Sequence, residues 1–159
     1  MTEPKSYFYE TETEWIVGTD CKVNAIGLPS ISCGAPPEFH GRAGRWSPEQ
    51  LFVGSLNSCY MLTLLAVARR AGVQVVSFSS TATGKLEARC GRYQISEVIV
   101  RPRIVVAAAS DLARMPEILA QAKEGCFISS SVKSAIKILP EIFNRQTPAS
   151  PCPLGQLPA

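Results

Sequence analysis

The chain has 159 residues, of which 46 % are hydrophobic and only 18 % are charged, and its formal net charge is +3. This length predicts one domain with a sizeable core, and the low charged fraction predicts that a partner covers part of the surface. Lysines and arginines are scattered along the chain, whereas nucleic-acid-binding proteins usually gather them in a stripe. We therefore expect no nucleic-acid partner.

The N-terminus and the cysteines indicate where the protein is located. Residues 1–14 are polar and acidic, unlike a signal peptide, and the apolar run at residues 51–68 is too interrupted for a membrane-spanning segment. We expect no membrane partner and a cytoplasmic protein, where thiols stay reduced. The six cysteines form no CxxC pair and His40 is the only histidine, which predicts neither a metal site nor a disulfide framework.

The first part of the chain predicts three strands and a loop. Residues 6–17 alternate between aromatic or threonine positions and mostly acidic ones, which is strand periodicity. Residues 21–26 and 30–33 read as a second and a third, shorter strand, separated by a Gly-Leu-Pro break. Residues 34–45 contain two prolines and three glycines and therefore predict an irregular loop.

A long helix follows this loop, and the chain is organised around it. Ser47 is the predicted N-cap, Pro48 takes the first helical position, and Gln50 completes a capping box. Gly72 is the predicted stop. The segment between these ends is apolar nearly all round, which is typical of a central helix that is covered on most sides.

Two long strands are predicted after the helix. Residues 73–87 and 93–107 are rich in β-branched side chains, and a turn at residues 89–92 joins them as a hairpin. Pro102 lies inside the second strand. Because proline donates no hydrogen bond, its presence predicts an edge position or a bulge.

The last third predicts helices and a tail. Helices are expected at residues 112–124 and 132–138. Hairpin-linked strands with segregated helices indicate an α+β fold, in which an antiparallel sheet packs with the long central buried helix. We expect one domain at residues 1–143 and a proline-rich, flexible tail at residues 144–159.

Two of the six cysteines stand apart. Cys59 lies midway along the long helix, and Cys126 follows Gly125 at a predicted helix end. Buried thiols usually serve packing, so these positions alone support only a hypothesis of redox chemistry. The other four are interpreted as packing side chains in the early strands or as bystanders in the hairpin turn and the tail: Cys21, Cys33, Cys90 and Cys152.

Two sequence motifs surround Cys59 and Cys126. The first comprises residues 39–42 and 46–52, and Cys59 follows ten residues after Glu49. The second comprises residues 126–133. In residue types and spacing both motifs resemble the OsmC/Ohr family of osmotically inducible protein C and organic hydroperoxide resistance proteins, and the chain is identified as a divergent member.

The resemblance implies an intertwined α+β homodimer that acts as a thiol-dependent peroxidase on organic hydroperoxides. It implies that Cys59 is the peroxidatic cysteine and Cys126 the resolving cysteine, which form a disulfide through a Cys59 sulfenic acid. Glu49 is implied to hold an arginine that activates the thiol, since the nucleophile must be a thiolate. No bound cofactor is implied; a small or protein dithiol supplies the reducing equivalents.

The spacing of Glu49 and Cys59 adds an argument about assembly. Ten residues of straight helix separate two positions by about 15 Å. Glu49 therefore cannot act on its own Cys59 unless the helix breaks, for example near Gly54. Two such helices that cross at a dimer interface would instead let each Glu49 serve the thiol of the other subunit.

The chain departs from the peroxidase pattern at two places. The turn at residues 17–20 lacks the arginine that such members carry there, so Arg42 and Arg45 are the nearer candidates, and Phe127 stands where proline often follows the second cysteine. These departures keep an alternative open: a non-catalytic, apolar-ligand-binding or redox-sensing dimer. Its pocket would be lined by Phe52, Cys59, Tyr60 and Phe127.

Overall fold

The computed structural model describes residues 5–145, and the chain forms two compact units, Met1–Phe52 and Val53–Ala159. The predicted tail falls almost wholly outside the described residues. Within the described range the strands are β1 (Glu12–Val17), β2 (Asp20–Asn24), β3 (Ile31–Gly34), β4 (Val75–Arg89), β5 (Arg92–Val106), β6 (Ala135–Ile138) and β7 (Glu141–Asn144). The α-helices are α1 (Pro48–Arg70), α2 (Met115–Gly125) and α3 (Phe127–Ser131).

The first unit contains an antiparallel sheet in the order β1-β2-β3. All three predicted strands are present, although β1 begins at Glu12 rather than at residue 6. Every residue of β1 is exposed in the single chain, including Trp15. Trp46 adds a parallel bridge to Cys33 on the free edge of β3 and thereby closes the loop that precedes α1.

Helix α1 begins with the predicted capping box. The Gln50 backbone N–H donates to Ser47 Oγ at 3.2 Å, and the Ser47 N–H donates to Gln50 Oε1 at 3.0 Å. The helix runs without a break through Gly54, and Gly72 (φ 69°) follows its end. The predicted caps are confirmed because both signals are local.

The single chain covers one face of α1 rather than most of its circumference. The buried residues recur at helical spacing, and they are Leu56, Tyr60, Leu64, Val67 and Ala68. Leu62, on another face, is 62 % exposed. By length and composition alone α1 would be able to cross a membrane, a test that the core helix of a water-soluble protein also passes.

The sheet of the second unit is mixed rather than purely antiparallel. Strands β4 and β5 form the predicted hairpin, with Cys90 (φ 50°) and Gly91 (φ 76°) in the turn. Strands β6 and β7 then pair in parallel with the other edge of β5. The return through two helices makes this parallel pairing possible, because a parallel neighbour needs a crossover connection.

Two predictions for this unit are wrong. Residues 135–138 form β6 rather than part of a helix, since alternate side chains of this segment are exposed and half-buried against β5. Pro102 lies in the central strand, not at an edge or a bulge. It falls between the segments that pair with β6, which end at Val100, and with β7, which begin at Arg103. No ladder hydrogen bond is required of proline at that gap.

The predicted helix at residues 112–124 is divided into two parts. A 3₁₀ helix at Ala109–Arg114 leads into α2. Pro116 lies in the first turn of α2, where its missing N–H would have no partner within the helix. Helix α2 buries Met115, Ile118 and Ala122, which recur at helical spacing and therefore lie on one face.

Gly84 permits the close approach of β4 to α1 within the second unit. A Cβ atom at Gly84 would lie 2.5 Å from Val53 Cγ2. We expect Gly84→Ala to lower the free energy of unfolding by about 1–3 kcal/mol, as other overpacked sites do. Urea unfolding of Gly84→Ala, Val53→Ala and the double variant checks this: the cost of alanine at position 84 should fall when Val53 is shortened. An equal cost in both backgrounds would contradict the contact.

Candidate active site

The second unit brings Cys59 and Cys126 together. Cys59 lies in the middle of α1, and Cys126 is the single extended residue (φ −74°, ψ 110°) between α2 and α3. The Cys126 side chain hydrogen-bonds with that of Cys59. The two thiols that the sequence singled out are therefore neighbours, although 67 positions of chain numbering, from 59 to 126, separate them.

The start of α3 faces the Cys59 sulfur. Partial burial of Cys59 favours its neutral thiol, but this effect is outweighed by hydrogen bonds to the sulfur. They come from the backbone N–H of Ile128, the Cys126 thiol and the backbone N–H of Phe127. Together these donors lower the pKa of Cys59 below that of an ordinary thiol, because they stabilise the thiolate.

Hydrogen bonds and close packing fix the backbone around Cys59 in α1 and around Cys126 at the start of α3. The Thr63 hydroxyl donates to the Cys59 carbonyl oxygen at 2.8 Å. Thr63 also lies within reach of the sulfur, but its single proton is already committed to the carbonyl, so the backbone amides carry the stabilisation. The Ser130 N–H donates to the Cys126 carbonyl oxygen at 3.1 Å and closes the turn of α3. A methyl group at Gly125 would be 3.4 Å from Thr63 Cγ2.

Cys126 has the opposite protonation preference. It is completely buried, and burial, together with the neighbouring Cys59 sulfur, raises the pKa of Cys126. The pair is thus asymmetric: the surroundings of the half-buried Cys59 lower its pKa, whereas those of the buried Cys126 raise its pKa. This arrangement suits a nucleophile with a protonated partner beside it.

Tyr60 follows Cys59 in α1 and lies close enough to Cys126 for the charge of a thiolate there to affect its ionisation. It has no exposed surface, and its hydroxyl has no hydrogen-bond partner among the described residues. Burial, reinforced by Cys126, raises the pKa of Tyr60 well above its usual range. The phenol therefore stays neutral at any physiological pH and presents an unused donor to the interior.

The other three predicted site residues, Arg42, Arg45 and Glu49, lie in the first unit. Arg42 Nη1 and Arg45 Nε lie 3.8 Å and 3.6 Å from Asp20 Oδ2, and Asp20 is buried. Glu49, in the first turn of α1, lies close enough to Cys33 to disfavour its thiolate. Glu49 Oε2 is buried and has no hydrogen-bond partner in the described part of the chain.

The sequence did not reveal which groups stabilise the Cys59 thiolate. Two of the three donors, Phe127 and Ile128, act through backbone N–H groups, which carry no side-chain signature. The available signal was positional: Cys126 precedes a short serine-rich helix, whose first amides lack partners within the helix. Among residues 5–145, no group of three or more histidine, cysteine or acidic side chains is placed to hold a metal ion.

Comparisons with known proteins agree with this architecture. A family described as OsmC-like protein matches residues 41–141. The chain is 26 % identical to the uncharacterized protein YmaD of Bacillus subtilis over 125 residues, which cover 77 % of this chain and 81 % of the relative.

Solved structures show the same fold. An OsmC-like protein of unknown function from Vibrio cholerae has a TM-score of 0.76 and 24 % identity, with 86 % of this chain and 99 % of that chain covered. The organic hydroperoxide resistance protein OsmC from Legionella pneumophila has a TM-score of 0.65 and 20 % identity, with 87 % and 99 % covered.

Proposed function

The chain belongs to the OsmC-like protein family, and from this premise we propose that it is a thiol-dependent peroxidase that reduces organic hydroperoxides. The observation that carries the proposal is the asymmetric Cys59–Cys126 pair, with donors directed at the more accessible sulfur. A purely structural pair would not require one sulfur to be stabilised as a thiolate. Structural relatives that are named organic hydroperoxide resistance proteins support the choice of substrate class.

The proposed reaction uses both thiols in order. The Cys59 thiolate attacks one peroxide oxygen, the O–O bond breaks, and the alkoxide leaves as an alcohol after taking up a proton, so that Cys59 becomes a sulfenic acid. Cys126 then attacks the sulfenic sulfur, which expels water and forms the Cys59–Cys126 disulfide. An external dithiol reduces this disulfide by two exchange steps and is itself oxidised to a disulfide. No bound cofactor takes part.

We also propose that the working form is a homodimer in the cytoplasm. Within one chain β1 is exposed along its whole length, and large apolar side chains outside it are exposed as well, among them Phe8 (93 %), Tyr9 (94 %) and Leu62 (62 %). This much exposed apolar surface indicates that a partner covers it. Helix α1 has no break that would bring Glu49 back toward its own Cys59, so we propose that Glu49 serves the thiol of the second subunit.

Sedimentation at micromolar concentration tests the assembly. We expect the mass of two chains, and we expect Tyr9→Glu to shift the protein toward monomer because a charge would be placed on the apolar surface. Lys5→Glu, which changes charge at an exposed polar position nearby, should leave the dimer intact. A wild-type monomer would contradict the proposed assembly and with it the role of Glu49 across subunits.

The role of the arginines is proposed on the same basis. We propose that Arg42 or Arg45, which both lie against the Asp20 carboxylate, assists formation of the Cys59 thiolate. The rate of Cys59 alkylation as a function of pH in Arg42→Ala and Arg45→Ala identifies which one acts. The variant whose curve moves to higher pH has lost the activating cation. Unchanged curves in both variants would leave the amides of α3 and the Cys126 thiol as the activating groups.

The test of the function is consumption of cumene hydroperoxide with a dithiol reductant. We expect catalytic turnover, many equivalents of peroxide per chain, by the wild-type protein. Cys90→Ser serves as the matched control, because Cys90 is an exposed thiol in the hairpin turn, and it should retain full activity. Consumption of a single equivalent without turnover would instead favour a redox sensor, and no consumption would overturn the proposal.

A further inference from the structure

We propose that Cys21 and Cys33 form a second dithiol site, separate from the Cys59–Cys126 pair, at which oxidation joins β2 to β3 by a cross-strand disulfide. Both residues lie in the first unit, and the sequence alone predicts both as packing side chains. The proposal goes beyond the proposed function, since it assigns chemistry to a pair of thiols that the peroxidase reaction does not use.

The strand register places the two cysteines opposite each other. In the antiparallel pairing of β2 with β3, Cys21 is the direct partner of Cys33. The bonds to Trp46 show which way the backbone of β3 faces: Trp46 N–H donates to the Ser32 oxygen at 3.1 Å, and Gly34 N–H donates to the Trp46 oxygen at 2.9 Å. The intervening Cys33 therefore turns its own N–H and C=O toward β2.

Cys21 and Cys33 thus form a hydrogen-bonded pair of the antiparallel ladder. The Cα atoms of such a pair lie about 5.5 Å apart, which is within the range of about 4.4–6.8 Å that disulfides span. Side chains of directly opposed residues leave the sheet on the same face. In agreement, the Cys21 thiol helps to raise the pKa of Cys33, as expected of two side chains that lie close together on one face of the sheet.

Accessibility assigns the order of events at this pair. Cys33 is 2 % exposed, whereas Cys21 is only half-buried. An oxidant from solvent therefore reaches the Cys21 sulfur first, and Cys33 is the inner thiol that resolves the oxidised intermediate.

The surroundings make this pair slower to react than Cys59. Burial and, to a smaller extent, the neighbouring Cys21 thiol raise the pKa of Cys33. The negative charge of the Glu49 carboxylate raises it further. Asp20, which precedes Cys21, adds a further carboxylate, although Arg42 and Arg45 both lie against it. Protonated thiols are poor nucleophiles, so oxidation at this site should follow oxidation of the peroxidatic pair.

An organic hydroperoxide is the oxidant by chemical class. The Cys21 sulfur attacks one peroxide oxygen and the O–O bond breaks, which leaves Cys21 as a sulfenic acid. The departing alkoxide takes up the proton of the thiol and leaves as an alcohol. The Cys33 sulfur then attacks Cys21, expels the oxygen as water and forms the disulfide. In total two thiols and one hydroperoxide give one disulfide, one alcohol and one water.

The disulfide would act next to a structural junction of the first unit. Strand β3 is the strand that bonds to Trp46, the residue immediately before the Ser47 cap of α1. The Glu49 carboxylate, in the first turn of that helix, lies close enough to Cys33 to help raise its pKa. Bond formation would tie β2 covalently to this junction and remove a titratable thiol that the Glu49 carboxylate influences.

The experiment uses the full chain with Cys59, Cys90, Cys126 and Cys152 all replaced by serine. We treat this variant with excess cumene hydroperoxide, count free thiols, and determine the intact mass and the peptide map. We expect loss of both thiols, a mass lower by two hydrogen atoms, and a cross-linked peptide joining Cys21 to Cys33 within one chain. Dithiothreitol should restore both thiols. Because the peroxidatic pair is absent, this result is independent of the proposed peroxidase activity.

The matched control adds Cys33→Ser to the same background. Cys21 alone should then gain oxygen and form no intrachain link. Two free thiols after prolonged treatment of the folded variant, or oxidation of each cysteine without a link, would overturn the proposal. If circular dichroism shows that the four-serine variant is unfolded, peptide mapping of the oxidised wild-type protein decides, since a Cys21–Cys33 peptide supports the proposal and its absence contradicts it.

Discussion

Cys59→Ser is expected to reduce hydroperoxide turnover by at least about a thousandfold, because the attacking thiolate is lost and a serine hydroxyl cannot replace it at neutral pH. The substitution is nearly isosteric, and the amide donors of Phe127 and Ile128 remain in place. Peroxide consumption with a dithiol reductant measures the effect. Circular dichroism should show an unchanged fold, which separates loss of chemistry from loss of structure.

Cys126→Ser distinguishes the two roles in the same assay. Cys59 should still react once with a hydroperoxide, but its sulfenic acid should persist, because the buried thiol that would form the disulfide is missing. A sulfenic-acid-specific reagent such as dimedone should label Cys59 in this variant far more than in the wild-type protein. Full turnover by Cys59→Ser, or dimedone labelling at Cys126 in place of Cys59, would contradict the assignment of nucleophile and resolving thiol.

The elements that the sequence predicted well are those with local signals. The capping box of Ser47 and Gln50 defines the start of α1, and the turn around Cys90 and Gly91 defines the hairpin of β4 and β5. Each signal depends on residues only a few positions apart. The segment at residues 135–138 is different, since its strand conformation depends on β5, about forty residues earlier in the chain. The β-propensity of residues 135–138 is a local property and does not reveal their pairing with β5.

The candidate site likewise contains groups that the sequence predicted and groups that it did not. The resemblance of two motifs led to Cys59 and Cys126, and the structure places their side chains in contact. The departures from the family motif pointed only to side chains, Arg42 and Arg45, as the activating groups. The donors observed at Cys59 are main-chain amides whose direction depends on Cys126 being extended and α3 beginning directly after it. Likewise, the pairing of Cys21 with Cys33 follows from strand register, which the sequence did not specify.

The second large effect is expected from Phe127→Pro, which removes one amide donor from Cys59. Proline has no N–H, so the thiolate loses a hydrogen bond while the other donors remain. The backbone should accept the change: Phe127 is the first residue of α3, where proline is favoured, and Cys126 before it is extended (φ −74°, ψ 110°), as a residue preceding proline should be. The Phe127 side chain is 79 % exposed, so its loss removes little packing.

The sign of the effect follows from the shift at Cys59. The amides lower the pKa of Cys59, so the removal of one amide should raise this pKa and move the alkylation curve to higher pH. A hydrogen bond to a charged group contributes about 1.5–3 kcal/mol, which corresponds to a decrease of about tenfold or more in the alkylation rate at pH below the midpoint. Peptide-resolved mass spectrometry measures this rate for Cys59 separately from the other cysteines.

Phe127→Ala is the matched control for this prediction, because it removes the aromatic ring but keeps the N–H. Its alkylation curve should coincide with that of the wild-type protein, whereas Phe127→Pro should move alone. Equal shifts in both variants would mean that the ring, and not the amide, controls the thiol. If neither curve moved, Ile128 and the Cys126 thiol would suffice to hold the Cys59 thiolate, and the activation of this nucleophile would not depend on the first amide of α3.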